Sequence, residues 1–329
     1  MREFNFETVI PIEKGWSEDK KYQVAKKDGS RYLLRVTPIQ RYETRKALFA
    51  VLEQVARLGI PMCKPVEFGI CRDGVYALHT WIDGSDAGDV IPFLPEKEQY
   101  ASGVKAGEIL REIHAIPAPD TQEQWGSRFN RKADEILHNY RECPIHFQGD
   151  NALITYIENN RGLLENRPQC FQHGDYHIGN MMVQNGSLII IDFDRYDFGD
   201  PWEEFNRIVW SAQTSPCFAA GQIDGYFDGR PPAEFFRLLS FYIACNTLSS
   251  IYWAVPFGQE DIDVMMKQSQ NVLSWYRSMD NIIPSWYRKY GESAWGRKRD
   301  RKRDRKRDRK RDRKRDRGCL LYTSPSPRD

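Results

Sequence analysis

The chain has 329 residues, 40% of them hydrophobic and 13% aromatic, with a formal net charge of +2. That small sum hides a division: residues 1–296 carry −9 and residues 297–329 carry +11. The totals exclude a uniformly basic nucleic-acid binder, and the first 296 residues suffice for one large domain or two lobes around a cleft.

The N-terminal "MREFNFETVIPIEK" is charged and lacks the apolar core of a signal peptide. Cys63, Cys71, Cys143, Cys170, Cys217 and Cys245 form no C-x-x-C pair and read as thiols in a reducing compartment, so a cytoplasmic protein is expected. "YQVAKKDGSRYLLRV" predicts a β-hairpin turning at Asp28-Gly29. "RYETRKALFAVLEQVARLGI" repeats apolar residues at helical spacing through Leu48, Val51, Leu52, Val55 and Leu58, and Gly59 with Pro61 ends the helix. "PVEFGICRDGVYALHTWI" predicts a second hairpin with Asp73-Gly74 at its tip. An antiparallel sheet carrying one helix accounts for residues 1–81, and the polar, glycine-containing stretch at 82–90 reads as a connector.

Residues 91–296 turn mainly helical. "PEKEQYASGVKAGEILREIHAI" places Tyr100, Val104, Gly107, Leu110 and His114 on one stripe, where His114 reads as a core histidine. Further helices are expected from Glu203, after Pro231-Pro232 and after Glu260. The run "FYIACNTLSSIYWAVPF" is interrupted by Asn246, Thr247 and two serines and falls short of a membrane span. From Arg297 the sequence repeats "RKRD", a charge block expected to be disordered, and it ends in "CLLYTSPSPRD", which resembles the translation of a sequencing-library adapter. Residues 297–329 are therefore set aside, and no nucleic-acid or membrane partner is expected without them.

One segment breaks the helical pattern. "HGDYHIGNMMV" runs into "QNGSLIIIDFD". Asn185-Gly186 is a strong two-residue hairpin signal, and counting outward from it pairs Asn180 with Ile191. Asp192 then falls about 5 Å from that pair, provided the chain bends at Gly179 or Asp192. An amide oxygen beside a carboxylate suits Mg²⁺. Asp175 precedes Asn180 by five residues, the D-x-x-x-x-N spacing of the protein-kinase catalytic loop. A site of His173, Asp175 and His177 on a metal is a competing reading, and a plain polar turn is another.

"HGDYHIGN" followed by "IDF" resembles the aminoglycoside phosphotransferase family, relatives of choline and homoserine kinases. "RYLLRV", "LHTWIDG", "GEILREIHAIPAP" and "GDPWEEF" extend the resemblance over about 10 to 215. It implies an α+β, protein-kinase-like two-lobe fold: a small antiparallel-sheet lobe (1–81), a hinge (82–90) and a larger helical lobe (91–296). It also implies an ATP-dependent phosphotransferase with a small-molecule hydroxyl acceptor. By the same resemblance Asp175 is the catalytic base, Asn180 and Asp192 bind Mg²⁺, and His173 braces the loop. Arg35 stands where the phosphate-contacting lysine is usual, and Gly15 and Ser17 are a remnant of the phosphate loop. Either Glu43, Glu53 or neither orients Arg35, since Leu48 falls at the expected glutamate. The literal "DFG" at Asp197-Phe198-Gly199 is read as coincidence, Asp194 as an auxiliary ligand or a solvated acid, and Asp200 as a helix cap.

The −9 charge of residues 1–296 favours a cationic acceptor, an aminoglycoside or other amino alcohol. Choline, ethanolamine, homoserine and sugars are alternatives, as is a nucleotide-binding module that no longer catalyses. Asp224, Asp228, Glu260, Asp261 and Asp263, with Trp210, Tyr226, Trp253 and Trp275, are candidates for the acceptor wall, and spacing does not choose among them.

Overall fold

The computed structural model describes residues 4–13, 19–287 and 290. Gly15, Ser17 and the repeat from Arg297 lie outside the described residues. The N-terminal part is a five-stranded antiparallel sheet of β1 (Thr8–Ile12), β2 (Lys20–Ala25), β3 (Arg31–Thr37), β4 (Pro65–Cys71) and β5 (Gly74–Thr80). Its order is β1-β2-β3-β5-β4. One helix, α1 (Tyr42–Arg57), packs on it through Leu48, Leu52 and Val55, three of the residues expected on its apolar stripe. Strand alternation sends Val24, Leu34, Val36 and Leu78 to a small core on one face. The same alternation turns Leu33, Arg35 and Thr37 toward the opposite face, which roofs a cavity. The second hairpin turns one residue earlier than expected: Cys71 pairs with Gly74, so Arg72-Asp73 is the two-residue turn.

The connector is more ordered than its composition suggests. It holds a two-residue strand, β6 (Ser85–Asp86), and the short helix α2 (Ala87–Val90). The helical part follows with α3 (Glu96–Ile113), α4 (Trp125–Glu142) and α5 (Asp150–Asn159). A strand insert comes next: β7 (Cys170–Gln172), β8 (Met181–Gln184), β9 (Ser187–Ile190) and β10 (Asp197–Gly199). Then come α6 (Ile208–Thr214), α7 (Pro216–Tyr226), α8 (Ala233–Ala254) and α9 (Gln259–Trp275).

Two features fix the helical part. First, α3 and α7 meet backbone to backbone. Gly103 and Gly107 face the carbonyls of Phe218 and Gln222, and Gly221 and Gly225 face those of Tyr100 and Val104. A Cβ added at any of the four would lie 2.0–2.2 Å from a carbonyl oxygen, so side chains are excluded from the seam. Second, α8 has 14 of its 22 residues buried, including Phe235, Phe241, Tyr242 and Leu248. The segment Ala233–Phe257 is long and apolar enough to cross a membrane, but two-thirds of its apolar window packs inside the molecule, as a central core helix does. Each fully buried Leu, Ile or Phe of this core contributes about 1.5–3 kcal/mol relative to exposure. All six described cysteines are free; Cys63 and Cys71 are half-buried and the other four buried.

Candidate active site

The β8–β9 hairpin has the register read from its turn. Gln184 pairs with Ser187 and Met181 with Ile190, and the Ile191 N–H donates to the Asn180 carbonyl at 3.1 Å. The required bend falls at Asp192, whose φ is +64°, a left-handed conformation that glycine, asparagine and aspartate tolerate better than other residues. Ahead of β8, a single 3₁₀ turn over Ile178–Asn180 presents Asn180. The Asn180 side-chain N–H donates to the Asp175 carbonyl at 2.8 Å, so its amide oxygen is the atom left to accept or ligate. Asn180 and Asp192 line the same two cavities, and Asp175 joins them in the larger.

The loop carrying Asp175 is held from every side. His173 is fully buried. Its Nδ1 accepts from the Asp175 N–H at 3.3 Å, so Nε2 carries the proton and donates to the Ile191 carbonyl at 2.9 Å. One neutral ring thus spans from the Asp175 backbone to the strand end preceding Asp192. Burial lowers its pKa and keeps it neutral. The next residue, Gly174, has φ +85°, and a Cβ there would lie 1.8 Å from the Arg195 carbonyl oxygen. That contact is why this loop reads His-Gly-Asp: no side chain fits between them. The Gly174 N–H donates to both carboxylate oxygens of Glu204, at 3.0 and 3.2 Å. Glu204 is buried; desolvation opposes its charge, but His114 and the Gly174 N–H outweigh it and lower its pKa. Two further bonds hang the loop on the helices: the Tyr176 hydroxyl donates to the Ala106 carbonyl of α3 at 2.7 Å, and the Ile178 N–H to Ser211 Oγ of α6 at 3.0 Å.

Desolvation alone would raise the pKa of Asp175, but His177, Arg207 and Arg195 more than offset it and hold the carboxyl well below the usual range. Arg207 Nε lies 3.4 Å, and His177 Nε2 3.6 Å, from Asp175 Oδ1. His177 also shapes the loop: its Nδ1 accepts from the Gly179 N–H and caps the 3₁₀ turn.

Above this floor, Arg35 projects from β3 and is held by carboxylates from three directions. It pairs with Asp19 at 3.0 Å, with Asp194 in a short contact, and with Asp192 at 3.8 Å. Neither Glu43 nor Glu53 orients it; both are exposed on the outer side of α1. The helix instead contributes Arg45, which pairs with Asp19 at 2.6 Å and Asp194 at 3.1 Å. Asp194 is therefore an ion-paired residue, not a solvated acid. Asp197 of the literal "DFG" sits apart from the cleft, exposed and paired with Arg128 at 3.1 Å. Asp200 caps the following turn through the Trp202 N–H, and it also holds Arg167 and the Tyr242 hydroxyl, fully buried.

Two cavities meet at Asn180 and Asp192. The smaller, about 350 Å³, lies under the sheet and is walled by apolar residues that include Leu33, Met182 and Ile191. His79 also faces it; burial and the Arg35 charge push its pKa down to about 4. The larger, about 1300 Å³, opens from Asp175 between α4, α8 and α9. Of the acceptor-wall candidates, Trp210, Trp253 and Asp261 line it, and Glu135, Asn139 and Tyr252 join them. Asp224 is instead buried against the Tyr100 and Tyr287 hydroxyls, Tyr226 bonds His114, and Trp275 packs on Trp286.

Among the described residues, no group of three or more His, Cys, Asp and Glu is placed to hold a metal ion. The reading of His173, Asp175 and His177 as a metal centre fails on this, since His173 already spends both ring nitrogens on the backbone. What remains is an amide and a carboxylate oxygen at the junction of the cavities. That donor set fits Mg²⁺, which takes one or two protein oxygens and completes its shell with water and phosphate.

The model of the phosphotransferase enzyme (APH) family matches residues 8–236. The chain belongs to this family. Solved structures of similar fold include a thermostable mutant of aminoglycoside phosphotransferase APH(4)-Ia in complex with ADP and hygromycin B. It is 18% identical with a TM-score of 0.59, over 84% of this chain and 95% of that one. Amicoumacin kinase in complex with AMP-PNP, Ca²⁺ and amicoumacin is 14% identical with a TM-score of 0.61, over 86% and 92%. A choline/ethanolamine kinase family protein from Mesorhizobium loti is 16% identical with a TM-score of 0.61, over 84% and 92%. No curated protein matches the sequence. The antiparallel sheet and helical part of this phosphotransferase are those of a protein-kinase-like fold, as the motifs implied.

Sequence reasoning missed Asp19, Arg45, Glu204 and Arg207. Glu204 had a signal, since "GDPWEEF" was part of the resemblance; Asp19 and Arg45 had none.

Proposed function

We propose that the protein transfers the γ-phosphoryl group of ATP to a hydroxyl of a small molecule in the cytoplasm. The observation that carries this reading is the meeting of Asp175, Asn180 and Asp192 where an apolar cavity under the sheet joins an open cleft among the helices. The smaller cavity suits a nucleotide base and the larger an acceptor. The complexes of the structural neighbours with ADP or AMP-PNP support the same assignment.

Asp175 receives the acceptor hydroxyl and its proton. Its depressed pKa makes it a weak base, which is adequate because phosphoryl transfer proceeds through a loose transition state and needs positioning more than proton abstraction. Asn180 and Asp192 would hold Mg²⁺, which when bound would supply positive charge against the phosphate oxygens. Arg35 contacts the phosphates from above, where an arginine fork offers two parallel hydrogen bonds. His173 keeps Asp175 and Asp192 in register. The acceptor is expected to carry an amino group: Glu135 and Asp261 supply negative charge, and Trp210, Tyr252 and Trp253 supply aromatic faces for a cation. Hygromycin B, amicoumacin and choline-type acceptors of the neighbours point to the same range.

The test is ATP consumption against a panel of aminoglycosides, choline, ethanolamine, homoserine and sugars. One acceptor should turn over, and Asp175→Asn should bind ATP normally yet lose kcat by orders of magnitude. An Asp175→Asn protein as active as the wild type removes Asp175 from the chemistry. ATP binding with no acceptor phosphorylated across the panel favours a non-catalytic module.

A further inference from the structure

Helix α1 delivers a second guanidinium to the phosphate end of the cleft. Arg35 and Arg45 stand on different elements yet share two partners, Asp19 and Asp194. The two carboxylates differ in access. The Asp19 side chain is wholly buried, whereas Asp194 is one-fifth exposed and lies two residues beyond Asp192. Asp194 thus sits between two forks, one oxygen to each, as a phosphate would sit.

Two further cations stand near this pair. Arg41 approaches Asp19 at 3.9 Å, and Lys21 is the cross-strand neighbour of Arg35 on the face that roofs the cavity. Three arginines therefore converge on Asp19 and Asp194, with the partly exposed Asp192 as a further carboxylate at 3.8 Å from Arg35. Guanidinium groups gathered at one end of a cavity attract a polyanion. Arg45 lines both cavities, and its buried Nε has no hydrogen-bond partner among the described residues. A helix expected to supply an orienting glutamate thus supplies a cation, from Arg45, three residues before Leu48.

We propose that Arg45 is a second phosphate-contacting residue, which with Arg35 forms a two-arginine clamp on the β- and γ-phosphates of the nucleotide. Asp19 holds the two forks side by side from behind, replacing the helix glutamate as the orienting acid. The proposal rests on the phosphotransferase reading above.

Binding of adenosine, ADP, ATP and inorganic tripolyphosphate to the wild type, Arg45→Gln and Arg45→Lys tests it. For Arg45→Gln, adenosine affinity should be unchanged while ATP and tripolyphosphate weaken by about tenfold to a hundredfold. Arg45→Lys keeps the charge beside Asp19, and so the fold, but loses the fork; its loss should be smaller and again confined to phosphate-bearing ligands. Equal losses for adenosine and ATP, or ATP binding as tight as wild type in both variants, would overturn the clamp and leave the phosphotransferase reading standing. A wild-type protein that binds neither ATP nor tripolyphosphate overturns both.

Discussion

Asp192 combines two roles that conflict. Its carboxylate faces the cleft, and its backbone holds a left-handed conformation that costs most side-chain-bearing residues about 1–2 kcal/mol and an aspartate less. Strain of this kind persists where the surroundings impose it, and it is common at functional sites. Asp192→Gly is therefore expected to keep or raise the thermal midpoint while phosphoryl transfer falls by orders of magnitude. A clear drop in the midpoint, measured by calorimetry, would show that the carboxylate contributes more to the fold than the strain removes. The placement of Asn180 and Asp192 was legible from sequence because one hairpin turn fixes their register, and that of Asp175 because it stands five residues before Asn180. Asp19 and Arg45 were not: Asp194 lies 149 residues from Arg45, and Asp19 meets Arg35, Thr37, Arg41 and Arg45 only because the start of β2, the strand β3 and the helix α1 converge. The bend itself was anticipated at two positions, and the backbone places it at Asp192 because Gly179 is taken up by the 3₁₀ turn that His177 caps.

At the level of elements, the α3–α7 seam admits no side chain. Gly107→Val should lower the urea midpoint by an amount equal to about 3 kcal/mol or more, since the helices must separate to admit it. Gly88→Ala in α2, where nothing lies within 4 Å of the added methyl, should be neutral or slightly stabilising. Equal effects of the two would show that helix propensity, not the seam, sets the cost. Legibility varied by element for physical reasons. The hairpins, α1, α3 and α8 carry a period or a turn signal and were read. Helix α4 has an apolar stripe through Trp125, Phe129, Ala133, Ile136 and Tyr140 that could have been read and was not. Helix α7 is buried from Cys217 to Gly225 without a break, so it has no polar face to give a period.

For the molecule as a whole, the buried histidines make stability depend on pH. An unfolded histidine titrates near 6.5, and His79 in the fold stays neutral down to about 4. Between those values the unfolded chain holds a proton that the folded one does not. Stability is therefore lost as pH falls from about 6.5 to about 4, by on the order of 3 kcal/mol from His79. His173, shifted in the same direction, adds to the loss. Denaturant midpoints measured across this range should decline with acidification, and His79→Phe should flatten the decline; an unchanged slope would assign the acid sensitivity elsewhere. The two-part architecture was legible at this scale because the pattern changes from hairpins to helices near residue 82. The joining of the parts through ion pairs was not, since charge placement across a cleft leaves no period in the chain.

The glycine seam also bears on how such a scaffold can change its choice of acceptor. Tyr176, beside Asp175, hangs from a carbonyl of α3 inside the stretch where that helix touches α7. Any residue swap along that contact would shift the machinery that every acceptor shares. Asn139, Tyr252 and Met265 face the open cleft from three other helices and bear no such burden. Diversification of specificity in this lineage should therefore accumulate on α4, α8 and α9, with the seam staying frozen.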